Sequence, residues 1–228
     1  MELESENSEI KSSAIKNGLG KSNTVKIRKE GDFYKFYINN VYVTKTDFES
    51  FYGSEIGFGI YFKQKVSIDY LKINRLKGNK TKPIITNKTL SLPLYDSFNN
   101  NNNNWNLDDL SDYSVAMNNG QLLMHRKKKG GILISKSINV DSNRDFIIET
   151  SIRSKNSDTN GMYGFTFGRK NSANEFSFLL SSTGTYKFRK FDNDKYKEII
   201  PSTFSSAIKT AGLAAFLSSR TFSRTAST

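Results

Sequence analysis

The feature that most constrains this chain is a two-residue alternation of apolar and polar side chains, broken every few residues by Gly, Asn or Asp and resumed after each break. Thr24-Val25-Lys26-Ile27-Arg28-Lys29 alternates, Glu30-Gly31-Asp32 turns, Phe33 to Ile38 is an aromatic run, and Asn39-Asn40 turns again into Val41-Tyr42-Val43-Thr44-Lys45. A period of two puts successive side chains on opposite faces of a strand, so the stretch predicts a three-stranded meander. Paired asparagines suit its second turn because Asn tolerates positive φ angles.

The same signal continues along the chain. Glu55 to Phe62 alternates glycines with large apolar residues, and Gly161 to Gly168 repeats that style. Glycines there leave one strand face flat, so that a neighbouring segment or a ligand can come close. Lys65 to Ile73 predicts Val66, Ile68, Tyr70 and Lys72 on one face and Ser67, Asp69, Leu71 and Ile73 on the other. Further strands are expected at Tyr113 to Met117, Gln121 to His125, Gly131 to Val140, Asp145 to Arg153, Glu175 to Leu180 and Thr185 to Lys190. In these, Phe146, Ile148 and Ile152 point inward against Glu149, Ser151 and Arg153, and Tyr186 and Phe188 oppose Lys187 and Arg189. Six asparagines at 99–104 read as a loop, and Trp105, the single tryptophan, as a core plug rather than a sugar-stacking platform.

Organisation is set by a pentapeptide that occurs twice, Ser12-Ser13-Ala14-Ile15-Lys16 and Ser205-Ser206-Ala207-Ile208-Lys209. Strands follow the first copy and none follows the second. The expected division is a loose N-terminus at 1–11, the back half of a module at 12–75, a linker at 76–91, the front half of a module at 92–209 and an aberrant tail at 210–228. That tail lacks Lys, Asn, Asp and Glu, unlike the rest of the chain, and is expected to be a frame-shifted or gene-end scar. The chain is thus expected to be a fragment of a larger multidomain protein. Half a sandwich exposes too much apolar surface to be stable. The linker is therefore also readable as joining the ends of a single, circularly permuted module.

Composition narrows the function classes. The net charge of +12 invites a polyanion, but the lysines are scattered and the one tight cluster, Arg126-Lys127-Lys128-Lys129, sits at a hairpin end before Gly130-Gly131. A solvated basic surface is the reading, with no nucleic-acid partner expected. Cysteine is absent, which excludes disulfides and Cys-based zinc sites. The acidic N-terminus lacks the pattern of a secretory signal, and no apolar run has the length of a membrane span. The expectation is a soluble chain without a membrane partner that stays where it is made.

Tyr95-Asp96-Ser97-Phe98 with Trp105, Met162 to Gly168, Gly184-Thr185-Tyr186, Ser206 to Lys209, Phe36 to Asn40 and Ile56-Gly57-Phe58 together resemble the concanavalin A-like or laminin-G-like jelly rolls of bacterial multidomain proteins. The resemblance implies an all-β fold, a two-sheet antiparallel jelly-roll sandwich. It rests mostly on core and turn positions, so it points to a fold more than to an activity. It also leaves calcium open as a cofactor, with Asp108, Asp109 and Asp112, or Asp192 and Asp194, as oxygen donors.

Catalytic patterns are sparse. The Glu-x-Asp-x-x-Glu signature of family 16-type glycoside hydrolases is absent, Glu149 is the best-placed strand carboxylate, and Glu175 has no partner nearby in sequence. His125, the only histidine, would have to carry any triad or histidine metal site alone. The preferred function is a noncatalytic recognition module, for carbohydrate, with Tyr163, Arg153 and Arg189 as ligand-binding candidates. The alternatives are a diverged glycoside hydrolase fragment acting through Glu149, and a structural module that binds another protein.

Overall fold

The meander forms as expected: β1 (Ser22–Glu30), β2 (Phe33–Ile38) and β3 (Val41–Asp47) pair antiparallel in sequence order. Asn39 and Asn40 turn between the last two with φ of 52° and 65°. The computed structural model describes residues 20–76, 93–157, 161–206 and 208. The predicted 1–11 terminus, the first pentapeptide, residues 77–91 of the linker and the 210–228 tail lie outside these residues.

The chain continues through β4 (Glu55–Tyr61), β5 (Gln64–Arg75), β6 (Leu94–Asp96), β7 (Asp108–Asp109), β8 (Tyr113–Asn118), β9 (Gln121–Arg126) and β10 (Gly131–Ser137). Then come β11 (Phe146–Ser157), β12 (Met162–Asn171), β13 (Asn174–Ser181), β14 (Thr185–Asp192) and β15 (Lys195–Phe204). They make a two-sheet antiparallel β-sandwich, with no helix among the described residues. A nine-stranded sheet runs β3-β2-β1-β11-β5-β9-β8-β7, with β6 also on β5; a six-stranded sheet runs β10-β4-β12-β13-β14-β15. Strands from both sides of the linker alternate within each sheet. β11 lies between β1 and β5, and β4 between β10 and β12.

Inward residues of both sheets form one apolar core. Tyr34 and Phe36 of β2 meet Phe167, Phe176, Phe178 and Phe188 of the facing sheet, with Phe36 stacked on Phe178 at 4.5 Å. Burial of rings this size supplies most of the driving force for closing the two sheets. Ile208 of the second pentapeptide, 3% exposed, belongs to the same core.

Trp105 is a core residue, 3% exposed, packed between Phe58 and Phe98. Its indole N–H donates to Asp96 Oδ2 at 2.8 Å, while Phe98 N–H donates to Asp96 Oδ1 at 2.9 Å and Asn103 donates to Oδ2 at 2.7 Å. One buried carboxylate thereby pins both ends of the asparagine loop. A buried charge is tolerable here because its acceptor positions are filled.

One expected face assignment is overturned. Val66, Ile68, Leu71 and Ile73 all point inward and are fully buried, whereas strict alternation puts the last two on the other face from the first two. The cause is a β-bulge. Tyr70 pairs with Ser151 and Ile68 with the adjacent Ile152, leaving Asp69 as an extra residue. An extra residue shifts the side-chain period by one, so β5 keeps its apolar residues inside along its whole length. Strands β6, β7 and β15 give no clear alternation in sequence. β15 is an edge strand whose residues are largely exposed and include Pro201, and edges carry such residues because one row of their hydrogen bonds faces solvent.

Two substitutions test this packing. A Cβ at Gly57 would lie 1.8 Å from the Ile134 carbonyl oxygen, so Gly57→Ala is expected to cost about 1–3 kcal/mol in urea unfolding, the range of overpacking. Asp96→Ala strands the Trp105 and Phe98 donors, each worth about 1–3 kcal/mol when left unpaired, and is expected to shift the urea midpoint further than Asp109→Ala at an exposed position.

Candidate functional site

The glycine-rich strands β4 and β12 are direct neighbours, and this brings their flat faces together. Gly59 pairs with Gly164, and Gly57 pairs with Thr166, which in turn pairs with Ser177 on β13. All five sit on the outer face of the six-stranded sheet, away from the core. Leu179, opposite Gly164, is fully buried on that same face yet takes no part in the core cluster. Because none of the five carries more than a short hydroxyl-bearing chain, they make a low floor across the middle of the sheet.

Long side chains rise around and over this floor. The Tyr61 ring lies against Gly59 and Gly131, within about 3 Å of where their missing Cβ atoms would be. Glycine is required at both places for that ring to lie down. The Arg189 guanidinium sits 4.5 Å from the Tyr61 ring centre, 5.4 Å from Phe191 and 5.9 Å from Tyr196. A guanidinium over an aromatic face is held by the ring quadrupole while its donors remain available at its edge. Burial pushes the Tyr61 phenol up, against the pull of Arg189. The hydroxyl therefore stays protonated and able to donate.

At the other end, Arg169 joins two carboxylates. Its Nη1 lies 2.5 Å from Glu55 Oε2 and its Nε 3.2 Å from Glu175 Oε2. A bulge after Thr166, where Gly168 takes φ of 59°, lets Arg169 pair with Glu55 and stay on the outer face. Glu175 is 4% exposed, and burial raises its pKa despite Arg169 and Arg189 nearby. Lys187 closes the β14–β15 side through an ion pair with Glu198 at 3.2 Å. Arg169 and Lys187 are thus paired with carboxylates of this face, while Arg189 rests on aromatic rings.

The three candidate residues from the sequence do not meet. Tyr163 is 2% exposed on the core side of β12, and burial pushes its phenol up to about 12. Its neighbours in the strand, Met162 and Gly164, hold the outward positions. Arg153 lies on β11 in the nine-stranded sheet, paired with Ser22 and Ser67. Arg189 alone belongs to the floor. Tyr61, Arg169 and the Glu55–Glu175 pair were missed because the contacts of Tyr61 with Arg189 and of Glu55 with Arg169 span more than 100 residues; the glycine alternation was the signal that marked their strands.

Other sequence candidates fall elsewhere. Glu149, on the nine-stranded sheet, holds Lys26 Nζ at 2.9 Å and accepts the Tyr70 hydroxyl at 2.9 Å. His125 faces Lys65, and burial together with Lys65, Lys127 and Lys63 lowers its pKa. Of the proposed calcium donors, Asp109 and Asp112 each hold a lysine, Lys127 at 2.7 Å and Lys128 at 2.5 Å. Among the described residues no three acidic or histidine side chains gather as a metal site.

Glu175 yields a pH prediction. Its folded pKa stands above the ordinary 4.5, so the native state holds the proton more tightly than the unfolded chain and loses stability as pH rises from about 4.5 through the raised value. Urea unfolding from pH 4 to 8 is expected to show wild type losing stability relative to Glu175→Gln across that window and running parallel to it above. A constant difference at all pH values would show that Glu175 titrates normally. No protein-family model and no curated protein sequence matches the chain.

Proposed function

We propose that the chain is a noncatalytic carbohydrate-recognition module of the concanavalin A-like jelly-roll kind, and that sugar binds over the glycine floor of the six-stranded sheet. The observation that carries this reading is the Tyr61–Arg189 pair lying over Gly59 and beside Ser177. The ring lies between the glycine floor and the guanidinium, so the outward part of the pair is the Arg189 guanidinium, whose plane can stack on the C–H side of a pyranose while its N–H groups donate to hydroxyls. Arg169, Glu55 and Glu175 add donors and acceptors already held in place by one another. With Arg169 and Lys187 already paired to carboxylates, the face favours a neutral sugar.

A second reading, glycoside hydrolysis, is favoured by one observation: two carboxylates share Arg169, and the more buried is held toward its protonated form. Glu149, paired with Lys26 on the opposite sheet, is not the residue this reading would use.

Screening the intact chain on an array of neutral glycans, followed by calorimetry on the best oligosaccharide, is the direct test. Tyr61→Ala and Arg189→Ala are each expected to weaken binding tenfold or more, about 1.4 kcal/mol, with Asp109→Ala, away from this face, binding normally. Absence of any glycan ligand would overturn the recognition reading, and hydrolysis of a glycan that disappears in Glu175→Gln would replace it with the second.

A further inference from the structure

The outer face of the nine-stranded sheet carries an ordered row of its own. Register places Tyr42 opposite Tyr37, Tyr37 opposite Lys26, Lys26 opposite Glu149, Glu149 opposite Lys72, and Lys72 opposite Tyr95. The six side chains share one face and cross six adjacent strands, β3-β2-β1-β11-β5-β6. Five inter-strand steps of about 4.8 Å make the row about 24 Å long.

Its two ends are aromatic and its middle is charged. Tyr42 and Tyr37 contact edge to face at 5.7 Å, and Tyr95 stacks on Tyr70 at 6.0 Å with the ring planes 29° apart. The Asp69 bulge is what turns Tyr70 outward to support Tyr95. Tyr42 and Tyr95 remain 43% and 64% exposed. Tyr70 also ties its pair to the middle of the row through its hydroxyl on Glu149.

The charge is one-sided. The neighbouring row runs Lys45, Lys35, Arg28, so the two rows hold five cations, Lys26, Lys72, Lys45, Lys35 and Arg28, against the single carboxylate Glu149. Glu149 is spent on Lys26, and Glu30 in the next row takes Arg28 and Lys35. Lys72 is exposed and has no acidic partner within ion-pair distance among the described residues, and Lys45 rests over the Phe33 ring. Two uncompensated ammonium groups thus lie between and beside two tyrosine pairs.

We propose that this face is a second binding surface, distinct from the glycine floor, for an extended polysaccharide carrying carboxylates. Its sugar rings lie on the Tyr42–Tyr37 and Tyr95–Tyr70 pairs at the two ends, and its uronate groups meet Lys72 between them and Lys45 beside the Tyr42 end. The row turns with the sheet by roughly 20° per strand, so the ligand is a chain able to twist rather than a flat crystalline surface. Glu149 at the centre disfavours a densely charged phosphate backbone, which would pass directly over it, and accepts hydroxyl donors from a sugar instead.

The test uses the full chain and hexamers of galacturonate and of alginate, with cellohexaose and a hexathymidylate as comparators, by calorimetry at low and moderate salt. One uronate hexamer or the other is expected to bind, tenfold or more weaker in the Tyr42→Ala/Tyr95→Ala double variant and severalfold weaker in Lys72→Glu. Both variants alter exposed positions, and far-ultraviolet circular dichroism checks that they are folded. Tyr61→Ala, on the opposite sheet, leaves uronate binding unchanged, so failure here and failure at the glycine floor are told apart. Binding of neither uronate, binding indifferent to all of these substitutions, or equal affinity for cellohexaose overturns the proposal. Tighter binding of the thymidylate, lost in the same variants, replaces it with single-stranded nucleic acid.

Discussion

The structure depends on where β11 and β4 sit. β11 is hydrogen-bonded to β1 on one side and β5 on the other, and β4 to β10 and β12. Each central position is therefore filled across the linker. Removing either part of the chain would open a sheet through its middle, exposing unpaired backbone and the buried faces of Ile148, Ile152, Phe58 and Ile60. Buried backbone groups need partners and apolar faces need cover, and in this sandwich each part supplies them to the other.

Closing the sandwich this way leaves each sheet with one free face, and the two free faces differ for physical reasons. On the six-stranded sheet, backbone approach at Gly57 and Gly164 leaves no room for side chains, and Tyr61, Arg169 and Arg189 settle over the vacant strip. Its Arg169 and Lys187 are paired with carboxylates. The outer face of the nine-stranded sheet has side chains at every position, so it is a raised surface of tyrosines and lysines with cations in excess. A floor and a platform suit different ligands even if both are sugars.

The bulge at Asp69 links core and surface. It keeps Leu71 and Ile73 in the core after Val66 and Ile68, and the same shift turns Tyr70 outward under Tyr95. Asp69 itself is held outside by Ser151 and Gln121 at 2.6 Å each. Those side-chain bonds stabilise the extra residue that the ladder cannot pair, as bulges in long strands require.

The local pattern of the chain was enough to determine that its described residues form an all-β fold, where most turns fall, that Trp105 belongs inside, and that Phe146, Ile148 and Ile152 face the core. These follow from a period of two and from the conformational tolerance of Gly and Asn, both properties of neighbouring residues. Three kinds of fact were decided only in three dimensions. The bulge in β5 depends on register with β11, which no single strand encodes. β15 is a strand because β14 offers it an edge, not because its own residues alternate. Tyr163 faces inward while Tyr61 faces outward because β12 and β4 pair in a fixed register, and a one-residue offset reverses every side chain. Strands separated by more than 100 residues chose each other through burial and hydrogen bonding, and that choice brought Glu55 to Glu175 and Tyr61 to Arg189.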